Sequence, residues 1–192
     1  MQQVLASVGA AGLEPTLFTR VTPNPRIEEV AAGAVVYAEQ GCAIIAVGGG
    51  SAIDCAKCIG LLAANQGRIR DFVGVDNVGA PMPPTICIPT TAGTSADVLQ
   101  FAVITDREIN RKLPIISKAL VPNNSLIDPA TITTMDAFLT ACTGMDALAR
   151  RGSVRIARAL VANGYACAGS HATDQFQSPE IDREAEQSRV PP

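Results

Sequence analysis

The stretch "CAIIAVGGGSAIDCAKCIGLLAAN", residues 42–65, constrains this chain more than any other. An all-apolar run of strand length leads straight into Gly48, Gly49 and Gly50, and a helical pattern follows without a linker. A strand apolar on both faces must be covered on both, which is the habit of parallel sheets flanked by helices. An α/β architecture, a mostly parallel sheet with flanking helices, is therefore expected. Ser51 reads as the helix cap, and Asp54 three residues on completes a capping box with Asp in place of the usual Glu.

"PTICIPTTAGTSADV", residues 84–98, repeats the arrangement: a buried strand running into a loop of Thr, Gly and Ser. "AIIAV" (43–47) and "TICIP" (85–89) are expected to be neighbouring central strands. Upstream, residues 1–21 predict a helix end, a turn at Gly12 and a strand across Leu17–Val21. "TPNPR" is a loop with two prolines, and it leads into a helix over about 26–39 with Ile27, Val30, Ala31, Ala34 and Val35 on one face. "QFAVITD" and "KLPIISKAL" predict two β-segments joined by the polar turn "REINR". Residues 124–150 predict a short strand, an Asp-Pro helix start and a helix with Phe138, Leu139, Cys142, Met145 and Leu148 at helical spacing. From Arg150 the pattern weakens, so the chain divides into an α/β domain over 1–149 and a basic helix with a loose tail over 150–192.

The totals remove several function classes. At 47% hydrophobic and 17% charged, the chain is not generally disordered. A formal charge of −3 without a Lys/Arg cluster argues against nucleic acid as partner. No apolar run reaches membrane-spanning length and no secretory leader is visible, so a cytoplasmic protein is expected. The six cysteines (42, 55, 58, 87, 142 and 167) sit in apolar segments and read as buried reduced thiols. Cys55 and Cys58 form C-x-x-C, but inside a helix that has already begun, not at the exposed N-terminus a redox pair wants.

A strand, a glycine turn and a helix N-terminus together make an anion site, because free N–H groups and the helix dipole both favour negative charge. "GGGS" fits neither G-x-G-x-x-G nor the P-loop, and a tight strand-to-helix turn would use the same glycines. Two such loops at the carboxyl ends of parallel strands form the crevice where open α/β sheets bind nucleotides. Further on, Asp146 and Arg150 stand one helical turn apart, a spacing that suits a metal clamp when both can coordinate and a salt bridge when one is a cation.

"TPNPR", "IIAVGGGSAIDCAK", "IPTTAGTSADV", "FAVITD", "SLIDPATIT" and "LTACTGMDAL", in this order and spacing, resemble the iron-containing alcohol dehydrogenase family over residues 1 to about 149. That resemblance implies a dinucleotide-binding α/β domain, followed in the family by a helical domain with the metal between them. It implies a metal-dependent alcohol dehydrogenase using NAD or NADP, oxidising alcohols to aldehydes or ketones by hydride transfer. Dehydroquinate synthases and glycerol dehydrogenases share the architecture, but "TTAGTS" with "TGMDAL" favours the alcohol dehydrogenases. By the resemblance, Gly49, Gly50 and Ser51 hold the pyrophosphate, and Thr90, Thr91 and Thr94 line the adenine and ribose region with Phe101. Lys112 approaches the ribose, Asn24 belongs to the Pro-Asn-Pro loop, and Asp54 is the acid of the glycine-rich helix. Ser95, Ala96 and Asp97 depart from the Gly-Ser-Glu of many members, with the acid kept in shortened form.

The implied metal is Fe2+ or Zn2+, and Asp146 stands where the family places its aspartate ligand. The histidine that follows four residues later is Arg150 here, a permanent cation that cannot coordinate. Three histidine ligands are implied and the chain has one histidine, His171. The metal is therefore not expected to be retained, no catalytic residue is assigned, and an inactive truncated enzyme is expected. The family's first strand and its cofactor-discriminating acid would lie upstream of Met1. The implied partners are the nicotinamide dinucleotide and a small alcohol, with a second copy of the chain left open. The alternative is a non-catalytic nucleotide-binding remnant.

Overall fold

A computed structural model describes the backbone of residues 1–162 and the side chains of residues 1–149. The chain forms two units, Met1–Gly144 and Met145–Pro192. In the first, α1 (Gln2–Ala10) ends in a turn with Gly12 at φ 76°, as the sequence predicts. The strand expected across Leu17–Val21 does not form: the segment has no regular structure, and Leu17 is exposed.

Helix α2 (Ile27–Gln40) starts where Glu29 reaches back to the Arg26 N–H at 3.2 Å. Its buried positions are Val30 and Gly33, with Ile27 and Tyr37 packed against the core. The expected face is therefore rotated, and Ala31 and Val35 point to solvent. Gly33 is the reason. A Cβ there would lie 2.3 Å from Ile59 Cδ1, so the helix turns its one bare position toward its neighbour and lets the backbones close up.

β1 (Ile44–Gly48) runs into α3 (Gly50–Ala64), and β3 (Thr85–Pro89) lies parallel to β1 with Ile45 opposite Ile86 and Val47 opposite Ile88. β6 (Asn124–Ser125) extends this sheet, in the order β1-β3-β6. The two expected neighbours are indeed adjacent, but only β3 is central. β1 is at the edge with Ile45 41% exposed, since no strand from the preceding residues pairs with it. The second sheet, order β2-β5-β4, joins β2 (Gly74–Val75) in parallel to β5 (Arg111–Ile116). β5 pairs antiparallel with β4 (Phe101–Asp106), the hairpin read from the sequence. Three of the four pairings are parallel, giving the expected α/β class.

Helix α3 packs on strands of both sheets and on α2. Ile59, Leu61, Cys55 and Cys58 enter the main core with Val30, Ile104, Ile115 and Leu120. A smaller cluster of Ala46, Ile53, Cys87 and Ala96 lies immediately behind the glycine turn. Pro129–Ile132 is a single 3-10 turn capped by Asp128, and α4 (Ala137–Ala162) opens with Asp136 Oδ1 accepting from the Leu139 N–H at 2.9 Å. The apolar stripe of α4 is not buried: Phe138 is 80% exposed, and Leu139, Cys142, Met145 and Leu148 are exposed too. Helical periodicity states which residues share a face, and a second element is needed to bury it. The backbone of α4 stays helical to Ala162, while the tail expected beyond it, with Cys167 and His171, lies outside the described residues.

Candidate functional site

At the end of β1, the chain turns at Gly48 (φ +152°), where a Cβ would lie 2.7 Å from the Ala52 Cβ. Gly49 is the N-cap of α3, its carbonyl accepting from Ala52 at 3.0 Å and Ile53 at 3.2 Å. Ser51 is therefore inside the first turn and not the cap, and the expected Ser51–Asp54 capping box does not form. The leading amides of a helix have no intrahelical acceptor, so Gly50 and Ser51 present N–H groups at the positive end of the helix dipole.

The threonine loop lies directly across this turn. Thr90 donates its N–H to the Gly48 carbonyl at 2.9 Å. A Cβ on Gly49 would meet Thr91 Oγ1 and Cγ2 at 3.1 Å, and one on Gly50 would meet Thr94 Oγ1 at 3.0 Å. Two of the three glycines thus lie tight against the threonines opposite them, with little room for a side chain. Ser95 (φ 52°) bends the loop back, and buried Asp97 anchors it by accepting from Ser125 Oγ at 2.5 Å. Asn24, also left-handed at φ 57°, closes the third side, its N–H donating to Ser51 Oγ at 3.2 Å.

The structure therefore brings together Asn24, Gly49, Gly50, Ser51, Thr90, Thr91 and Thr94. It treats three others differently. Asp54 turns toward the hairpin: Oδ2 accepts from the Val103 N–H at 3.1 Å, and Oδ1 is buried without a hydrogen-bond partner. Burial pushes its carboxyl up to about 6, against the lowering effect of the Val103 N–H and the Lys57 charge. Phe101 opens β4 and is 38% exposed. Lys112 is exposed on β5, opposite Thr105, whose N–H donates to Pro25 at 2.7 Å.

Lys57 is the residue that sequence reasoning missed. It is completely buried, and its Nζ donates to the carbonyls of Leu99 at 2.6 Å and Phe101 at 3.1 Å. Burial lowers its pKa, opposed by Asp54 and Asp97. A signal was present, because Asp54 and Lys57 are the two charges in an otherwise uncharged α3. Cys55, Cys58 and Cys87 are buried, and burial pushes the thiols up, to about 12 for Cys55 and about 11 for Cys87, so packing is their role. Cys42 and Cys142 are exposed, contrary to expectation. No group of three His, Cys, Asp or Glu side chains among the described residues could hold a metal ion, so the residues on view do not fit the metal implied for Asp146. No helix among them is long and apolar enough to cross a membrane.

A glycine turn at a helix N-terminus facing a hydroxyl-rich loop, both at the carboxyl ends of adjacent parallel strands, is the arrangement with which α/β proteins of the dinucleotide-binding class hold their ligands. The profile of iron-containing alcohol dehydrogenases matches residues 1–129, and the chain belongs to that family. It is 39% identical over 158 residues to the NAD-dependent methanol dehydrogenase of Bacillus methanolicus, covering 82% of this chain and 42% of that protein. Among solved structures, a 1,3-propanediol oxidoreductase superposes with a TM-score of 0.74 at 38% identity, over 77% of this chain and 39% of the other. The sulfoacetaldehyde reductase of Bifidobacterium kashiwanohense in complex with NAD+ gives 0.63 at 34% identity, over 75% and 41%. The chain thus spans about two fifths of the length of these relatives.

Proposed function

We propose that residues 14–128 hold a nicotinamide dinucleotide as the cofactor-binding half of an NAD(P)-dependent alcohol dehydrogenase. The observation that carries this is the contact of Gly49 and Gly50 with Thr91 and Thr94 across the first turn of α3. In this reading the Gly50 and Ser51 amides bind the pyrophosphate and the threonine hydroxyls bind the flanking ribose and adenine. Phe101 offers a flat apolar wall, while Asn24 orients Ser51. Asp54 supports the site from behind instead of touching the cofactor. The bound cofactor would accept a hydride from a small alcohol. The bound NAD+ of the sulfoacetaldehyde reductase supports the choice of ligand.

Alcohol turnover by this chain alone is not part of the proposal. Metal-assisted alcohol oxidation needs several ligands in fixed geometry, and a single carboxylate holds a divalent ion too weakly in water. The buried free thiols support a cytoplasmic location.

Calorimetric titration of NADH into the full chain and its Gly50→Val variant tests the reading. Valine would push Thr94 out of place and block backbone approach, so binding is expected to vanish while the helical circular dichroism stays. Equal affinity in both proteins overturns it. Activity assays with Fe2+ or Zn2+, NAD and a panel of primary alcohols test the second statement: metal-dependent NADH formation above a boiled control overturns it.

A further inference from the structure

We propose that Lys57, backed by Asp54, is a positioning residue that holds the threonine loop at its working distance from the glycine turn. This rests on the nucleotide-binding reading and adds to it a part of the machinery that touches no ligand.

In an antiparallel edge strand alternate residues direct both backbone groups outward, and those groups need partners when buried. On β4 the outward residues are odd-numbered, since β5 lies on the other side. Their partners come from outside the sheet. The Phe101 carbonyl takes Lys57 Nζ, the Val103 N–H takes Asp54 Oδ2, and the Thr105 N–H takes the Pro25 carbonyl. Lys57 extends the pattern to the Leu99 carbonyl, just before the strand. Two side chains one turn apart on α3 thus dock that helix along β4 in the place of a strand.

The consequence falls on residues 90–99. The loop leaves β3 bonded to Gly48 through Thr90, and enters β4 bonded to Lys57 through Leu99. Both ends are tied to the β1–α3 unit that carries Gly49 and Gly50. Lys57 has no exposed surface, and two carbonyls solvate its Nζ; burial lowers its pKa, and the charges of Asp54 and Asp97 oppose that lowering through space. The arrangement has a direction: it draws the loop toward α3 and leaves Thr91 and Thr94 against the glycines.

The experiment compares the full chain with Lys57→Met, which fills the same volume but cannot donate. Hydrogen exchange is read at the Thr90, Val98 and Leu99 amides, bonded at the two ends of the loop, against those of β3 and the middle of α3. Expected are faster exchange at the loop amides, unchanged exchange in β3 and α3, and NADH affinity lower by about tenfold or more, the scale of one lost charged hydrogen bond. Uniformly faster exchange would mean a merely structural role and overturns the proposal. Unchanged loop exchange with unchanged affinity also overturns it. Should Lys57→Met not fold, Lys57→Gln, which keeps a shorter donor, is read in the same way and decides. If the unmodified chain binds no NADH, the nucleotide reading falls, and loop exchange still decides whether Lys57 holds the loop.

Discussion

The backbone N–H of Asn24 donates to Oγ of Ser51, closing 3.2 Å between residues that lie 27 apart in sequence. It fixes the Pro-Asn-Pro loop to the first turn of α3 and requires Asn24 to sit at φ 57°. Asparagine tolerates that region better than most residues and glycine better still. Asn24→Ala should therefore cost about 1 kcal/mol, and Asn24→Gly only a few tenths, in urea unfolding. Equal losses would show that the conformation at 24 is not under backbone control.

Gly48 and Gly144 make opposite predictions. A Cβ at Gly48 meets the Ala52 Cβ at 2.7 Å, inside the helix that must start there, whereas at Gly144 it meets nothing within 4 Å. Gly48→Ala should destabilise by ~2 kcal/mol, and Gly144→Ala should stabilise by up to ~1 kcal/mol through helix propensity. Thermal unfolding of the two variants, compared with the parent, checks both signs.

Asp54 makes stability depend on pH in an unusual sense. Burial raises its carboxyl from 3.8 to about 6 in the fold, so the folded state holds the proton more tightly than the unfolded chain. Its contribution is fully present below about pH 3.8 and is lost as pH rises through about 6. The parent should gain stability on this account as pH falls from 7 to 5, and Asp54→Asn should lack that gain. The difference between the two proteins isolates Asp54 from every titrating group they share. Parallel stability–pH curves would refute the assignment.

Alkylation separates the thiols. Cys42 and Cys142 are exposed and should react with iodoacetamide in the native protein within minutes, while Cys55, Cys58 and Cys87 should react only after unfolding. Peptide mapping reads the outcome residue by residue, and native labelling at Cys58 would contradict the buried C-x-x-C.

The parts of the fold that were legible in sequence are those decided locally. The β1–Gly–α3 unit, the Thr-loop strand and the 101–116 hairpin each carry their pattern within some twenty residues. What escaped was decided at a distance. Ser51 and Asp54 satisfy the spacing of a capping box, but spacing cannot reveal that Asn24 and Val103 compete for those side chains. The face of α2 was set by the approach of Ile59 to Gly33, not by its own apolar period. Lys57 stood out as a lone cation in an apolar helix, and its meaning required knowing that β4 has no strand on the side away from β5.

The free side of β1 has a practical consequence. Ile44–Gly48 ends the β1-β3-β6 sheet with unpaired backbone groups and an exposed Ile45, and carries no charge, proline or bulge. Native proteins blunt such edges because they template strand addition by other chains. Self-association of this protein should therefore proceed edge to edge, steepen with concentration, and be relieved by a single lysine placed at Ile45. On this prediction, five residues of backbone would matter more to association than the net charge of the surface.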